Sequence, residues 1–346
     1  MLMITKVIPE EKVIATYKAI QRAKRIVIVA HKRPDGDAIG SSLGLYHFLY
    51  SFERETFVIM PDAIPANMSI LPSSNEILNY ELETEKCNSI LAETDLVFCL
   101  DFNKLERIGE LGKVIANSHA EKVMIDHHLD YEAFADIAIS HPEIASTSEL
   151  VFRLICRMGY FSDMSLQTAE CICAGMLTDT GGLAYNSNSP EIYTIFAELL
   201  RTGVDKDALY RHLFNTYKEN RMRLMGYVLS QKLEILPEYQ TAIFSLSEKE
   251  LAQYNYEKGD TEGFVNLPLS INGVRFSIFA REEKDTVKLS LRSVGDFPAN
   301  LFASQFFGGG GHLNASGAES KLSLSDTIDK IKEVLPDFVA QQQNCR

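Results

Sequence analysis

Acidic and imidazole side chains follow three short apolar runs of the sequence, and a fourth acid precedes a glycine turn. In chain order they are His31, Asp35 and Asp37 after the run 26–30, Asp101 after 95–100, Asp126, His127 and His128 after 123–125, and Asp179 before Thr180-Gly181-Gly182. Carboxylates and imidazoles bind divalent metals and carry protons. Because such groups are costly to cluster without a use, their repeated appearance indicates a catalytic or metal-binding site.

The apolar runs have the length and composition of buried parallel strands. We predict strands at 26–30, 56–60, 95–100, 122–125 and 135–140, and helices at 9–22, 38–50, 148–158, 166–177 and 191–202. In an open α/β sheet, ligands bind at the edge formed by the carboxyl ends of the strands. The alternation therefore predicts an α/β domain whose parallel sheet, flanked by helices, brings the acids and histidines together.

The pattern of the sequence changes after residue 203. Residues 204–233 favour one or two linking helices, and residues 234–340 favour a smaller α+β domain. In that domain we predict strands at 240–246, 261–269, 274–280 and 286–292, and helices at 298–306 and 323–334. The chain of 346 residues is long enough for these two domains and a sizeable core.

Composition narrows the class of protein. The formal net charge of −13 argues against a protein that coats long nucleic acid, such as a long duplex. The six cysteines contain no pair at the spacing of a zinc finger or a redox motif. Because we find neither a long apolar run nor a signal-peptide pattern, we expect a cytoplasmic protein without membrane association.

The order of these motifs resembles that of the DHH/DHHA1 phosphoesterase family. The sequence reads HxxxDxD from His31, then Asp101, then Asp126-His127-His128, then Asp179, and it adds Gly308-Gly309-Gly310-Gly311-His312. The resemblance covers nearly the whole chain. It implies that 1–203 is a DHH catalytic domain, that 204–233 is a helical linker and that 234–340 is a DHHA1 substrate-binding domain.

The resemblance also implies a pair of divalent metal ions, with Mn²⁺ as the expected metal and Mg²⁺ or Co²⁺ as alternatives. One ion would be held by His31, Asp35 and Asp101, and the other by Asp37, Asp101, His127 and Asp179, so that Asp101 bridges and takes part in catalysis. We expect Asp35 and Asp37 to share one face of an extended loop that bends at Gly36. Asp126 would orient a histidine. His128 would protonate the leaving oxygen or contact the phosphate, or would only form a supporting hydrogen bond.

In the second domain, the resemblance implies a site for a substrate phosphate. Its residues would be Arg292 and the glycine loop with its histidine, Gly309, Gly310, Gly311 and His312. Amides of such a loop can surround an anion, and arginine can bind it with two hydrogen bonds. Two departures from the family pattern, at residues 183–184 and 313–314, remove basic residues that relatives often carry there.

The chain looks like the branch of the family that cleaves very short RNA, linear dinucleotides and 3′-phosphoadenosine 5′-phosphate (pAp). We therefore expect a hydrolase of a short single-stranded oligoribonucleotide or a nucleotide, and a homodimer is left open. The alternatives are an inorganic pyrophosphatase or exopolyphosphatase, a RecJ-like single-strand exonuclease, and an inactive nucleotide-binding module. The intact set of metal ligands argues against the last of these.

Overall fold

The computed structural model describes residues 4–344, and side chains through residue 342. The described chain divides into two compact units between Thr216 and Tyr217. This division lies inside the predicted linker 204–233, whereas the domain bounds 203 and 234 stay predictions. The first three residues of the predicted DHH domain lie outside the described part.

The first unit contains a parallel sheet of six strands. The strands are β1 (Arg25–Ala30), β2 (Glu55–Met60), β3 (Leu78–Asn79), β4 (Leu96–Leu100), β5 (Glu121–Asp126) and β6 (Ile137–Ser140). Their order across the sheet is β3-β2-β1-β4-β5-β6. Strands β2 and β3 thus lie on one side of β1, and β4, β5 and β6 lie on its other side. This arrangement opens a crevice at the carboxyl ends of β1 and β4, where ligands of such sheets bind.

Eight helices accompany this sheet in the described part of the first unit. They are α1 (Glu10–Arg22), α2 (Gly36–Tyr50), α3 (Thr84–Ala92), α4 (Glu110–Asn117), α5 (Thr147–Arg157), α6 (Leu166–Asp179), α7 (Pro190–Arg201) and α8 (Lys206–Phe214). Alternate residues of β1 enter different cores: Ile26 and Ile28 pack with one set of helices, and Val27 and Val29 pack with the other. Both faces of the sheet are therefore covered, which explains the continuous apolar runs.

Helices α2 and α6 approach each other closely through glycine. A Cβ atom on Gly40 would lie 2.6 Å from the carbonyl oxygen of Cys171 and 2.7 Å from the amide nitrogen of Gly175. A Cβ atom on Gly36 would collide with the side chain of Thr178. Since Gly36 lies at the start of α2 and Thr178 near the end of α6, this packing places the acids around Gly36 beside Asp179.

The second unit is an α+β domain built on a sheet of six strands, in the order β11-β12-β10-β9-β8-β7. Its elements are α9 (Glu219–Tyr227), β7 (Glu234–Leu236), β8 (Thr241–Leu246), α10 (Glu248–Gln253), β9 (Phe276–Glu283), β10 (Thr286–Ser293), α11 (Ala299–Phe307), β11 (Gly310–His312), β12 (Ala315–Ser320) and α12 (Leu324–Asn344). The β8–β9 pair is parallel and the other pairs are antiparallel. The predicted fold class is confirmed in both units.

One predicted strand is wrong. Residues 261–269 were expected to extend, but Phe264–Ser270 forms a 3₁₀ helix. Gly263 enters this helix with a left-handed φ of 79°, and Pro268 has no amide hydrogen for a strand ladder. Phe264 and Val265 are nevertheless buried. Their apolar side chains therefore predicted burial correctly, but they did not predict the type of secondary structure.

Within residues 4–344, no helix has the combination of length and apolar character that a membrane crossing requires.

The close contact between α2 and α6 gives the first testable prediction. Gly40→Ala should lower the free energy of unfolding by about 2 kcal/mol or more, because the new methyl group would meet backbone that cannot rotate away. Urea titration followed by circular dichroism measures this. Gly226→Ala is the matched control, since a Cβ atom on this helical glycine meets nothing within 4 Å. An equal effect of the two substitutions would contradict the packing argument.

Candidate metal centre

The polar residues singled out in the sequence converge at the carboxyl edge of the first sheet. His31 directly follows β1, Asp101 directly follows β4, and Asp126 is the last residue of β5. These three strands are neighbours in the sheet, so their ends adjoin. Asp179 reaches the same edge from the last residue of α6.

Asp35 and Asp37 do not lie in an extended loop, which corrects the expectation from their spacing. Asp35 is the N-cap of α2, and its Oδ1 accepts hydrogen bonds of 3.1 Å from the amides of Asp37 and Ala38. Asp37 lies in the first turn of the helix. The cap fixes one oxygen of Asp35 and leaves Oδ2 for the cluster.

A first group of potential metal ligands consists of His31, Asp35 and Asp101. The Nε2 atom of His31 lies 3.3 Å from Oδ2 of Asp101 and 3.7 Å from Oδ2 of Asp35. Their ligand atoms are close enough together for one small cation to reach all three.

A second group consists of Asp37, His127 and Asp179. The Nε2 atom of His127 lies 3.4 Å from Oδ2 of Asp179 and 4.0 Å from Oδ2 of Asp37. It also lies 3.5 Å from Oδ1 of Asp101. The two oxygens of Asp101 thus face different groups of potential ligands.

The backbone of Asp101 has a left-handed conformation, with φ of 62°. This conformation is unfavourable for a residue other than glycine, and residues with such backbone strain are frequent at functional sites. Its amide donates to the carbonyl of Ile125 across the sheet, at 3.1 Å, which holds the turn in place. The turn redirects the chain at the end of β4 and leaves the carboxylate only 2% exposed.

Backbone carbonyls orient two imidazoles. Nδ1 of His31 lies 2.9 Å from the carbonyl oxygen of Lys32, and Nδ1 of His127 lies 3.2 Å from that of Ile144. A carbonyl can only accept, so Nδ1 carries the hydrogen in both rings. In the neutral form of either ring, Nε2 would be the nitrogen with a free lone pair, and it faces the carboxylates.

Asp126 holds His128 with both of its oxygens. Oδ1 lies 2.7 Å from Nδ1 of His128, and Oδ2 accepts the backbone amide of His128 at 3.0 Å. Asp126 is fully buried, whereas the His128 side chain is 26% exposed. This contact leaves Nε2 of His128 free. His128 also groups with Asp101 and His127 as a potential ligand, so its role stays open between ligand, proton donor and supporting contact.

The N-terminus of α5 supplies contacts that the sequence analysis missed. The amides of Thr147 and Ser148 donate to Oδ2 and Oδ1 of Asp37, at 2.6 and 2.9 Å. The hydroxyl of Thr147 donates to Oδ1 of Asp101, at 3.0 Å. The stretch 146–148 consists of three hydroxyl residues. The N-terminus of a helix attracts negative charge, so a predicted helix start could have indicated a partner for the predicted acid cluster.

Three carboxylates of this centre, those of Asp37, Asp101 and Asp179, are charged only with difficulty in the metal-free protein. Asp35 differs, because hydrogen bonding to His31 outweighs the effect of burial and lowers its pKa to about 2. Burial, followed by the charge of Asp37, raises the pKa of Asp101 to about 7. Burial, followed by the charges of Asp37 and Asp101, raises the pKa of Asp179 to about 9. Burial also raises the pKa of Asp37.

Among the described residues, only imidazoles form ion pairs with these carboxylates. Burial opposes protonation of His31, but hydrogen bonding to Asp101 and Asp35 outweighs it and raises the pKa of His31 to about 10. Within residues 4–344, Asp35, Asp37, Asp101 and Asp179 form ion pairs with histidine but with no lysine or arginine. Oxygen and imidazole ligands without thiolate fit a hard or borderline divalent cation, which would supply the missing charge.

The glycine stretch of the second unit is a strand, which corrects its interpretation as a loop. β11 pairs with β12 in the register Gly310↔Gly317, Gly311↔Ser316 and His312↔Ala315. A Cβ atom on Gly309 would collide with the carbonyl of Gly317, and one on Gly311 would lie 2.5 Å from the carbonyl oxygen of Ala315. Close backbone approach between strands therefore accounts for these two glycines.

Arg292 lies in the same row of the sheet as His312. Arg292 pairs with Ala315, which pairs with His312, so the three side chains share one face. The guanidinium of Arg292 donates to the carbonyl of Leu291 at 2.9 Å and forms no ion pair among the described residues. Burial lowers its pKa from the usual value. A partly desolvated, unpaired arginine is suited to an anionic ligand.

Comparison with known proteins agrees with this structure. The model of the DHH family N-terminal domain matches residues 25–176, and that of the DHHA1 domain matches residues 239–341. The fold and its acid–histidine centre therefore define a hydrolase of phosphoester bonds. The chain belongs to the DHH/DHHA1 phosphoesterase family, as the sequence predicted.

The chain is similar to three proteins of known sequence or structure. It is 31% identical to the bifunctional oligoribonuclease and PAP phosphatase NrnA of Thermus thermophilus, over 90% of this chain and 89% of that protein. It is 52% identical to an exopolyphosphatase-related protein from Bacteroides fragilis, whose crystal structure superposes with a TM-score of 0.95 over 98% of this chain and 100% of that one. RecJ of Thermus thermophilus in complex with Mn²⁺ shares the fold, with a TM-score of 0.54 and 14% identity, over 98% of this chain and 54% of RecJ.

The raised pKa of Asp179 makes the stability of the metal-free protein depend on pH. Unfolding returns this pKa from about 9 to its ordinary 3.8, so the folded state holds a proton that the unfolded chain has lost. The free energy of unfolding must then fall as pH rises between these two values. We expect EDTA-treated protein to lose more stability from pH 6.5 to pH 8.5 than its Asp179→Asn variant, as measured by urea titration. Parallel pH profiles of the two proteins would contradict the assignment.

The hydroxyl of Thr147 should support metal binding through Asp101. Thr147→Val keeps the shape and the backbone amide but removes the hydrogen bond to Oδ1 of Asp101. We expect Mn²⁺ affinity, measured by isothermal titration calorimetry, to fall about tenfold, as is common for such supporting contacts. Thr147→Ser keeps the hydroxyl and is the control. Equal affinities of the valine variant and wild type would show that the bond is unimportant.

Proposed function

We propose that the chain hydrolyses phosphoester bonds in short oligoribonucleotides, linear dinucleotides and pAp with two divalent metal ions, preferably Mn²⁺. The observation that carries this proposal is the position of Asp101, whose two oxygens face the two separate ligand groups. The name of the Thermus thermophilus relative supports the choice of substrates. A pair of divalent cations would activate water near neutral pH and offset the charge of the phosphate.

The residues of the first unit would then act as metal ligands and as a proton donor. His31, Asp35 and Asp101 would hold one ion, and the second would bind to Asp37, His127 and Asp179 with Asp101 as the shared ligand. His128 would deliver a proton from Nε2 to the leaving oxygen, because Asp126 already binds its Nδ1. Asp126 would thereby fix the direction of the ring and stabilise its charged form.

Arg292 and His312 of the second sheet would bind a phosphate group. Arg292 provides a guanidinium without an acidic partner among the described residues, and His312 shares its row. Free amides of an edge strand such as β11 would add hydrogen bonds to the anion. Both pAp and a 5′-phosphorylated dinucleotide carry more than one phosphate group.

The relationship to an exopolyphosphatase-related protein makes inorganic polyphosphate the second candidate substrate. The charges on the second sheet support it less well. Lys288 lies on the same face as Arg292, but its ammonium lies 3.1 Å from Oε2 of Glu283. A chain of phosphates would need several unpaired cations in a row, whereas a nucleotide with two phosphate positions needs fewer.

Hydrolysis of three substrates tests the proposal. With Mn²⁺, we expect wild-type protein to cleave pAp and a 5′-phosphorylated RNA dinucleotide faster than pyrophosphate. Asp101→Asn should reduce all activity at least about a thousandfold, because the shared ligand of both ions is lost. Asp329→Asn, at an exposed position of α12, is the control and should match wild type. Preferred cleavage of pyrophosphate, or full activity of Asp101→Asn, would refute the proposal.

A further inference from the structure

The loop that follows Asp179 has an unusual backbone. Gly181, Gly182, Leu183 and Asn186 all have left-handed φ values, of 55°, 71°, 72° and 47°. Leucine is unfavourable in this conformation because of its Cβ atom, and asparagine is only tolerated. Such a conformation persists only where surrounding contacts enforce it, and it frequently marks a site of function.

A single buried residue, Thr180, enforces this conformation. Its carbonyl accepts the amides of Ala184 and Tyr185, both at 2.9 Å, and its hydroxyl accepts the amide of Leu183 at 3.1 Å. The amide of Gly182 donates to the carbonyl of Leu177 at 2.7 Å, which ties the loop to the end of α6. The loop is thus a rigid extension of the helix that carries Asp179.

This loop, which directly follows Asp179, carries an exposed aromatic ring. Tyr185 is 68% exposed, and within residues 4–344 its hydroxyl makes no hydrogen bond. A Cβ atom on Gly181 would lie 2.7 Å from Cδ2 of Tyr185, so the ring packs against the backbone of Gly181. Because Gly181 is two residues from Asp179, at most about 7 Å along the chain, the ring packs on the segment that directly follows this potential metal ligand.

The chemistry of the loop favours a nucleobase as its ligand. The loop carries Leu183 and Ala184 after its glycines and so offers no cation to a phosphate at these positions. An exposed tyrosine offers a flat apolar face with few rotatable bonds, which suits stacking on a base. Inorganic polyphosphate has no group that such a face would recognise.

We propose that Tyr185 stacks on the base of the nucleotide whose phosphate lies at the metal centre. The ring thereby determines that the substrate is a nucleotide and not a chain of inorganic phosphate. This inference rests on the proposed function and adds to it a specificity residue in the first unit. Tyr185 touches no reacting atom, so its removal should affect recognition of the base more than the chemical step.

Fluorescence provides a test that does not depend on turnover. The chain contains no tryptophan, so Tyr185→Trp creates a single reporter that retains a stacking face. In the presence of Mg²⁺, we expect adenosine 5′-monophosphate to quench its emission to saturation and ribose 5-phosphate to leave it unchanged. Tyr50→Trp is the matched control, because Tyr50 is 77% exposed at the end of α2 opposite to Asp35. Equal responses to the two ligands, or of the two variants, would overturn the inference.

Kinetics then separates this inference from the proposed function. Tyr185→Ala should raise KM for the RNA dinucleotide about tenfold, with little change in kcat, and Tyr185→Phe should restore it. Neither variant should alter KM for pyrophosphate. If wild-type protein cleaves the dinucleotide but Tyr185→Ala has an unchanged KM, the inference fails alone. If wild-type protein cleaves neither nucleotide, the proposed function fails, and the quenching experiment still decides whether the base is bound.

Discussion

Repulsion among buried carboxylates is the constraint around which the first unit is built. Asp37 and Asp101 are 1% and 2% exposed, and the charge of each opposes ionisation of Asp179. The protein holds them together with the amides at the start of α5 and the hydroxyl of Thr147, not with lysine or arginine. Partial charges of this kind fix the positions of the carboxylate oxygens but do not neutralise their negative charge. The site therefore still favours the binding of divalent cations.

The scaffold explains how distant parts of the sequence reach this point. The sheet reverses its direction of growth between β1 and β4, which places His31 and Asp101 at adjoining strand ends. Glycine contacts between α2 and α6 then bring the acids at the start of one helix to Asp179 at the end of the other. Replacing a glycine in this contact would therefore disturb stability and the site together.

Much of this arrangement could be predicted from the sequence, because apolar strands and the polar residues after them leave a local signal. The fold class was predicted correctly, and the structure brings the proposed metal ligands together. Local patterns did not reveal Thr147 as a partner of Asp101, since that contact joins residues far apart in the chain. Nor did they reveal β11 as a strand, because three residues that include glycines have little strand propensity of their own. The helices α3 and α4 were absent from the prediction altogether, since we read no periodic pattern between the strands there.

In the proposed centre, Asp101 bridges two divalent cations. Titration of metal-free protein with Mn²⁺, followed by electron paramagnetic resonance, can detect this bridge. We expect two ions per chain and a spin-coupled signal, since the ions of such a pair lie about 3.5–4 Å apart. Binding of one ion per chain, or of two ions that give only uncoupled signals, would contradict it.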